Sequence, residues 1–256
     1  MMLSAKNLTV GYGDRTILND LSIDIPSNKV TAFIGPNGCG KSTLLKTLSR
    51  VIQPKHGSIE LDGKSFQHYS EKQLAKKISL LPQVLHAPEG MTVRKLVTLG
   101  RTPYLSFLGR LSEVDHEHVT NAIKNAGVEA IADHFVDALS GGQRQRVWIA
   151  MILAQDTPIV MLDEPTTYLD LSHQVALMQL IRAMNNQGKT VVTVLHDLNQ
   201  ACRYCDHLIV MKDGKVITQG MPEAVMNRSL LKSVFDLDAE IFQDPIAQSP
   251  MCVSLF

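Results

Sequence analysis

This sequence of 256 residues contains little cysteine and no long apolar run. Its four cysteines are too few for a disulfide framework in a chain of this size, which excludes a disulfide-stapled scaffold and favours a reducing compartment. The densest apolar segment, residues 147–154, falls well short of the ~18 residues that cross a bilayer. The first residues also lack the apolar core of a secretory signal. We therefore expect any membrane role to be peripheral.

An excess of charge of either sign is also missing, since 25 Lys and Arg residues balance 25 Asp and Glu residues. Without a basic surplus we expect no nucleic-acid partner. Cys202 and Cys205 form a CxxC pair, but no second pair of ligands accompanies them. Two small residues one turn apart on a helix are favoured over a zinc or redox site.

Two kinds of strand pattern are present. Alternation of apolar and polar residues predicts half-exposed antiparallel strands near the start of the chain, at residues 5–10, 21–25 and 58–61. Continuous apolar runs predict strands that are buried on both faces of a parallel sheet, at residues 30–35, 78–83, 158–164 and 191–197. The chain is therefore predicted to be an α/β protein.

Between residues 83 and 156 the strand patterns give way to helical spacing, as in 113–126 and 143–154. Asp213-Gly214 predicts a hairpin turn between strands at 208–211 and 215–218. We expect one domain over 1–256, with a core at 1–83 and 157–240, a helical insertion at 84–156 and a loosely structured tail at 241–256.

A glycine-rich loop, GPNGCGKST, follows the first buried strand and precedes a helical segment, as a P-loop requires. Its glycines let backbone N–H groups converge on phosphates at the helix N-terminus. Lys41 supplies a charge to the β- and γ-phosphates, and the Ser42 hydroxyl can ligate Mg²⁺. The predicted ATP-binding residues are Gly35, Pro36, Asn37, Gly38, Cys39, Gly40, Lys41, Ser42 and Thr43.

Two carboxylates follow the buried run IVML. Asp163 is predicted to hold the metal, directly or through water, at the carboxyl end of this strand. Glu164 is then placed to orient the attacking water or to accept its proton. Alone, an Asp-Glu pair could be a strand end that caps a helix, but the P-loop makes the catalytic interpretation stronger.

The segment LSGGQ at residues 139–143 precedes a long helical pattern. It could be only an N-cap with a flexible approach, but with the other motifs it resembles the signature of the ATP-binding-cassette (ABC) family over essentially the whole chain. The resemblance implies a P-loop NTPase with a mainly parallel core sheet, an N-terminal antiparallel β subdomain and an inserted α-helical subdomain. It also implies that Ser140, Gly141, Gly142 and Gln143 act in trans on the nucleotide of a second copy, in a homodimer.

Other family positions can be assigned one by one. Tyr12 resembles the aromatic residue that stacks on adenine, Gln83 the glutamine that contacts Mg²⁺, and His196 the histidine beside the γ-phosphate. Asp170 resembles the aspartate of the loop that contacts the second subunit. The resemblance thus implies ATP and Mg²⁺ as ligands. It makes Glu164, His196 and Lys41 catalytic, with Ser42, Gln83 and Asp163 around the metal.

Two positions depart from the usual pattern. Tyr168 stands where many cassettes have a small residue, and Cys39 occupies a permissive position of the P-loop. Neither removes a required functional group. Because Cys39 lies at a helix N-terminus, we expect a stabilised thiolate and inactivation by thiol alkylation, with protection by ATP.

Residues 88–115, 163–174 and 196–215 are similar to the importer branch that serves iron chelates, haem and cobalamin. NGCGKSTLLKTLSR and QDPIAQSPMCV are most similar to ATPases that import ferric siderophores or ferric citrate. The resemblance implies membrane permease subunits, an indirect substrate-binding protein and a peripheral position on the cytoplasmic face of the bacterial inner membrane. Haem or cobalamin import is the alternative.

The segment 84–110 is expected to border the groove that receives a permease helix; ordinary subdomain core is the competing interpretation. Its relevant apolar residues are Leu85, Met91, Tyr104, Leu105 and Phe107. A soluble cassette of DNA repair or translation is disfavoured, since the chain has neither a long coiled-coil insertion nor a second cassette. A catalytically inactive nucleotide-binding regulator is opposed by the presence of both Glu164 and His196.

Overall fold

A computed structural model describes residues 2–167 and 169–255. The strands are β1 (Leu3–Tyr12), β2 (Arg15–Ile25), β3 (Val30–Ile34), β4 (His56–Leu61), β5 (Lys64–Ser65), β6 (Ile78–Leu81), β7 (Ile159–Leu162), β8 (Thr190–Val194), β9 (His207–Lys212), β10 (Lys215–Gly220), β11 (Ala239–Gln243) and β12 (Pro250–Ser254). The helices are α1 (Lys41–Leu48), α2 (Glu71–Ala75), α3 (Val93–Leu99), α4 (Glu113–Asn125), α5 (Gly141–Gln155), α6 (Leu171–Asn186), α7 (Leu198–Tyr204), α8 (Pro222–Val225) and α9 (Arg228–Phe235).

The chain forms two compact units. The first comprises the residues up to His68 together with those from Met184 onward, and the second is Tyr69–Ala183. The predicted limits of the nucleotide-binding core and of the helical insertion describe functional subdomains, and they remain a prediction.

An antiparallel sheet with the order β2-β1-β4-β5 lies in the first unit. Along β1 the side chains of Leu3, Ala5, Leu8 and Val10 are buried in the core, while Lys6 between them is exposed to solvent. The predicted antiparallel strands near the N-terminus are confirmed.

The first unit also contains parallel strands. β3 pairs in parallel with both β8 and β9, and every residue of β3 and β8 is buried, which explains their uninterrupted apolar sequence. β9 and β10 form the predicted hairpin, in which Asp213 and Gly214 both have positive φ, at 48° and 75°. The P-loop follows directly from the end of β3.

Residues 239–243 and 250–254 form β-strands, so the prediction of a loosely structured tail is wrong. β11 and β12 form an antiparallel hairpin, and β12 packs on α7. The Asn199 side chain donates to the carbonyl of Cys252 at 3.1 Å and accepts its N–H at 2.7 Å. The Asn199 amide thus pairs with the backbone of β12 as a neighbouring strand would. Local sequence patterns do not reveal this contact, because the two residues are 53 positions apart.

The second unit contains the parallel pair β6 and β7 and the predicted helices. α4 and α5 confirm the helical spacing at 113–126 and 143–154. The buried side chain of Arg101 connects these two helices. Its Nη2 lies 2.8 Å from Oδ1 of Asp115 on α4, and its Nη1 group donates to the carbonyl of Ala154 on α5 at 2.8 Å. Among the described residues, no helix has the length and apolarity to cross a bilayer.

Candidate ATP-binding and catalytic site

Backbone sterics shape the P-loop in the first unit. Gly35 has a φ of 152°, and a Cβ on it would lie 2.1 Å from the carbonyl oxygen of Met211. Gly40 has a φ of 105°, and a Cβ there would lie 2.6 Å from Cδ2 of Leu18. Both positions therefore require glycine, for space as well as for conformation. Cys39 anchors the loop further, since its carbonyl accepts the N–H of Gly214 at 3.1 Å.

The N-terminus of α1 is suited to bind phosphate. Gly40 is the N-cap residue and supplies no side-chain cap, so the first N–H groups of the helix have no capping side chain. Lys41 is buried, and its Nζ donates to the carbonyls of Gly35 at 2.7 Å and Pro36 at 2.9 Å. The ammonium group thus lies within the curve of the loop. Ser42 is half-buried and Thr43 is buried, whereas Asn37 and Gly38 are exposed at the turn.

Cys39 does not have the stabilised thiolate that the sequence predicts. The side chain is buried, and burial raises the pKa of its thiol even though the Lys41 ammonium, 4.0 Å from Sγ, acts in the opposite direction. Loss of solvation outweighs both the nearby charge and the backbone hydrogen bonds that would lower this pKa. The prediction of a stabilised thiolate is therefore wrong.

Tyr12 lies at the end of β1, paired with Arg15 across the β1–β2 hairpin. Its side chain is exposed, with 55% of its surface accessible. An exposed aromatic ring at a strand end can stack on a base, whereas core packing would bury it.

The second unit contains the two adjacent carboxylates. Asp163 is buried directly after β7, and its N–H donates to the carbonyl of Leu81 at 2.9 Å, which continues the pairing with β6. Glu164 has a φ of 51°, in the left-handed region that glutamate rarely adopts. The backbone therefore leaves the extended conformation of β7 directly after Asp163. Such strain is concentrated at functional sites.

A direct hydrogen bond connects Gln83 with Glu164. The Gln83 amide donates from Nε2 to Oε2 of Glu164 at 2.7 Å, and the Thr167 hydroxyl approaches the same oxygen at 3.4 Å. Two residues that the sequence predicts separately are thus brought together across 81 positions of chain. Sequence reasoning assigned Gln83 to the metal and did not reveal its contact with the catalytic candidate.

The signature segment begins α5 in a capping box. Ser140 is the N-cap residue: its hydroxyl accepts the N–H of Gln143 at 3.3 Å, and its own N–H donates to Oε1 of Gln143 at 3.1 Å. The N-cap interpretation of Ser140 is therefore correct as local structure. It leaves the exposed Ser140 and Gly141 at the tip of the helix N-terminus, where an anion would be favoured.

Asp170 lies just before α6, where its carboxylate accepts the backbone N–H of His173 at 2.9 Å. The hydrogen bonds from the His173 backbone, the His173 ring and the Ser172 hydroxyl lower the pKa of Asp170 to about 2. His173 and Arg146 were not singled out from the sequence. The sequence signal for His173 was its place three residues after Asp170, on the same face of a helix N-terminus.

His196 is exposed just after β8. The next residue, Asp197, is the N-cap of α7 and accepts the N–H groups of Asn199 at 2.8 Å and Gln200 at 3.0 Å. The cap holds the chain immediately after His196 in one conformation. Tyr168, the second departure from the usual pattern, lies outside the described residues.

Comparison with known proteins shows the family. The ABC transporter family matches residues 18–167, from β2 to the segment after Glu164. The ferric enterobactin transport ATP-binding protein FepC of Escherichia coli (strain K12) is 48% identical over 254 residues, which cover 99% of this chain and 94% of the relative. The predicted similarity to iron-chelate importers is confirmed.

Two solved structures share the fold. One is an inward-facing conformation of a putative metal-chelate type ABC transporter, with 27% identity and a TM-score of 0.84 over 99% of this chain and 97% of that one. The other is a dimeric post-hydrolysis state of the ATP-binding cassette MJ0796 bound to ADP and Pi, with 31% identity and a TM-score of 0.75 over 86% of this chain and 98% of that one. The predicted ABC fold class is confirmed. The chain therefore belongs to the ABC transporter family, as one of its ATPases.

Proposed function

We propose that this chain is the ATP-hydrolysing subunit of an importer that takes up an iron(III) chelate, either a ferric siderophore or ferric citrate. The observation that carries the proposal is the P-loop, whose close backbone turns at Gly35 and Gly40 and whose Lys41 suit a triphosphate. Similarity to a ferric enterobactin subunit over 99% of the chain supports the cargo class. Haem or cobalamin import is the second candidate, on resemblance alone.

In this proposal ATP binds along the P-loop. N–H groups of the loop and of the α1 N-terminus bind the phosphates, and Lys41 exchanges its loop carbonyls for the β- and γ-phosphate oxygens. The adenine ring stacks on the exposed Tyr12. Pro36, Asn37 and Thr43 complete the loop.

Mg²⁺ is proposed as the accompanying cation, held by Ser42, Gln83 and Asp163. Hydroxyl, amide and carboxylate oxygens are the hard donors that this ion prefers, and a buried carboxylate such as Asp163 needs a cation or hydrogen bonds nearby. Bound Mg²⁺ would neutralise charge on the β- and γ-phosphates.

For hydrolysis, Glu164 orients the attacking water and accepts its proton, and His196 contacts the γ-phosphate. Gln83 holds the Glu164 carboxylate through the 2.7 Å bond. The amide oxygen of Gln83 would be available as a ligand of Mg²⁺, while its Nε2 group holds the Glu164 carboxylate. Nucleotide binding and the position of the base would then be coupled through one amide group.

Glu164→Gln tests this assignment, because the amide preserves shape but accepts a proton poorly. We expect ATP binding to persist while kcat falls by about 1000-fold. The measurement is phosphate release together with gel filtration in ATP, where the variant should be trapped as a dimer. Glu129→Gln, on an exposed turn, is the matched control. Full turnover by Glu164→Gln would contradict the role.

Two copies are proposed to bind two nucleotides between them. Ser140, Gly141, Gly142 and Gln143 of one copy face the γ-phosphate held by the other, using the exposed N-terminus of α5. Asp170 contacts the opposite copy. ATP would then favour the closed dimer and hydrolysis would favour its opening.

Permease docking is proposed for the segment 84–110. Leu85, Met91, Tyr104 and Leu105 are half-buried and Phe107 is fully exposed, which fits a docking surface better than subdomain core. Two neighbouring apolar side chains, Val84 and Leu108, are also exposed. The proposed position is the cytoplasmic face of the bacterial inner membrane, as a peripheral subunit whose permease receives cargo from a substrate-binding protein.

Cargo is tested by deleting the gene for this chain and measuring uptake of labelled ferric siderophores, ferric citrate, haem and cobalamin. We expect uptake of one class of iron(III) chelate to be lost and to return with the wild-type chain but not with Glu164→Gln. Unchanged iron-chelate uptake, or a loss confined to haem or cobalamin, would overturn the cargo assignment.

A further inference from the structure

His173 lies between two segments to which the proposed function gives separate roles. Its ring nitrogen Nδ1 is 2.6 Å from Oδ1 of Asp170, and Nε2 is 2.8 Å from Nη2 of Arg146 on α5. The ring also faces Gly142 of the signature segment, since a Cβ added there would lie 3.5 Å from Cδ2 of His173. One imidazole thus contacts both the signature helix and the aspartate before α6.

The hydrogen-bond chemistry determines the tautomer of this ring. The guanidinium of Arg146 can only donate, so Nε2 of His173 must be the acceptor. The proton of the neutral ring is then on Nδ1, where it is donated to the Asp170 carboxylate. Each nitrogen has one role, and the bonds run in one direction from Arg146 through His173 to Asp170.

Arg146 depends on this bond more than an exposed arginine would. Its Nε is buried and has no hydrogen-bond partner in the described part of the chain. The hydrogen bond from Nη2 to His173 is therefore important for the polar groups of this side chain. Arg146 follows Gly142 by four residues, which places both on the same face of α5 toward His173. The His173 ring therefore faces two successive turns of α5 and is hydrogen-bonded to one of them.

Stability of the fold does not account for this ring. The cap of α6 uses the backbone N–H of His173, which any residue other than proline supplies. The side chain is 35% exposed, so its removal loses little apolar burial. The imidazole connects Arg146 with Asp170, and neither the cap of α6 nor the core requires this connection.

We propose that His173 is a positioning residue for ATP turnover, which holds Asp170 in register with the signature segment by accepting a hydrogen bond from Arg146 and donating one to Asp170. This inference rests on the proposed function, in which both segments engage the second copy. The two segments must arrive at that copy together. Loss of the link should slow turnover while ATP still binds to the P-loop of its own chain.

Three substitutions separate the two bonds. His173→Ala removes both; His173→Asn can place an amide near the position of Nδ1 and keep the bond to Asp170; His173→Gln can reach the position of Nε2 and keep the bond to Arg146. We expect His173→Ala to lower kcat about 10-fold, the equivalent of one lost hydrogen bond to a charged group. The other two variants should lie between His173→Ala and wild type.

Readouts are kcat, KM for ATP, binding of a non-hydrolysable ATP analogue to the full chain, and the thermal unfolding midpoint. KM, analogue binding and the midpoint should stay close to wild type for all three variants. His134→Ala, an exposed histidine in the same unit, is the matched control and should leave kcat unchanged. In a double-mutant cycle, Arg146→Gln should cost little further kcat once His173 is alanine.

If the kcat of His173→Ala stays within about 2-fold of wild type, the inference is overturned, because the loss of one hydrogen bond to a charged group should lower kcat by more than that. A loss of kcat matched by an equal rise in KM and a lower unfolding midpoint would also overturn it, since that pattern marks a structural role. If His173→Ala does not fold, wild-type kcat in both His173→Asn and His173→Gln would overturn it. Absence of hydrolysis by the wild-type chain would instead refute the proposed function itself.

Discussion

The P-loop and the segments around Glu164 and His173 are held in place by different physical means. In the P-loop the conformation is set by the backbone, since Gly35 and Gly40 have positive φ and each faces atoms that exclude a side chain. Around Glu164 and His173 the conformation is held by side-chain hydrogen bonds, which Gln83 makes to Glu164 and Arg146 makes to His173. The first arrangement is insensitive to protonation, whereas the second depends on it.

This contrast explains what each region can do. A loop built from backbone sterics can present N–H groups to phosphate without rearrangement, as a binding site needs. Hydrogen-bonded side chains can exchange partners at small cost, as a step that follows nucleotide binding needs. The two regions should therefore respond to different perturbations.

Substitutions in the P-loop should have the largest effect. Gly35→Ala puts a Cβ 2.1 Å from a backbone oxygen that cannot rotate away, so we expect a loss of about 3 kcal/mol or more in unfolding free energy. The affinity for ATP should fall about 100-fold or more, since the loop must shift. Urea unfolding and nucleotide titration measure both effects.

Gly38→Ala and Gly13→Ala are the matched controls. Both glycines have positive φ, 77° and 53°, but a Cβ on either would meet nothing within 4 Å. Each should cost about 1 kcal/mol for conformation alone. Equal losses for Gly35→Ala and Gly38→Ala would show that the close contact with Met211 does not shape the loop.

Acid should disturb the second unit through Asp115. Burial alone would raise the pKa of this carboxyl, but hydrogen bonds from Ser112 and Arg101 outweigh it and lower the pKa from 3.8 to about 2. A lowered folded-state pKa means that the contribution to stability is present above pH 4 and is lost as pH falls toward 2. We expect a loss of about 2 kcal/mol in that window.

Urea unfolding at pH 5 and at pH 2.5, followed by α-helical signal, measures this loss. Asp115→Asn should lack this part of the pH dependence because no proton is taken up at the site. Asp133→Asn, which removes a largely exposed partner of Arg94, is the control and should retain it. The same acid dependence in Asp115→Asn as in wild type would contradict the role of this ion pair.

Cysteine reactivity should show the smallest effect. Burial raises the pKa of Cys39, of Cys252 and, to about 12, of Cys202, but the Cys252 side chain on β12 is half-exposed whereas the other two are buried. We expect iodoacetamide at pH 8 to modify Cys252 faster than the other two, by about 10-fold or more. Mass spectrometry of the native protein measures the order, with urea-unfolded protein as the reference. Rapid modification of Cys39 would show that the P-loop opens.

Much of the fold was predictable because it follows local rules. Continuous apolar runs marked β3, β7 and β8, since both faces of these strands are covered. The C-terminal hairpin was missed because Asn199 secures it across a separation of 53 residues, without a strong local pattern. The state of the Cys39 thiol was also mispredicted, because burial cannot be deduced from proximity in sequence to a helix N-terminus.

The sequence by itself determined the P-loop, the two carboxylates after β7, the signature segment and the family, because each depends on residue type at a fixed spacing along one stretch of chain. Only the tertiary structure decided that Gln83 binds Glu164 and that His173 connects Arg146 with Asp170. Hydrogen bonds between distant segments require distances of about 3 Å, which arise from packing and not from local preference.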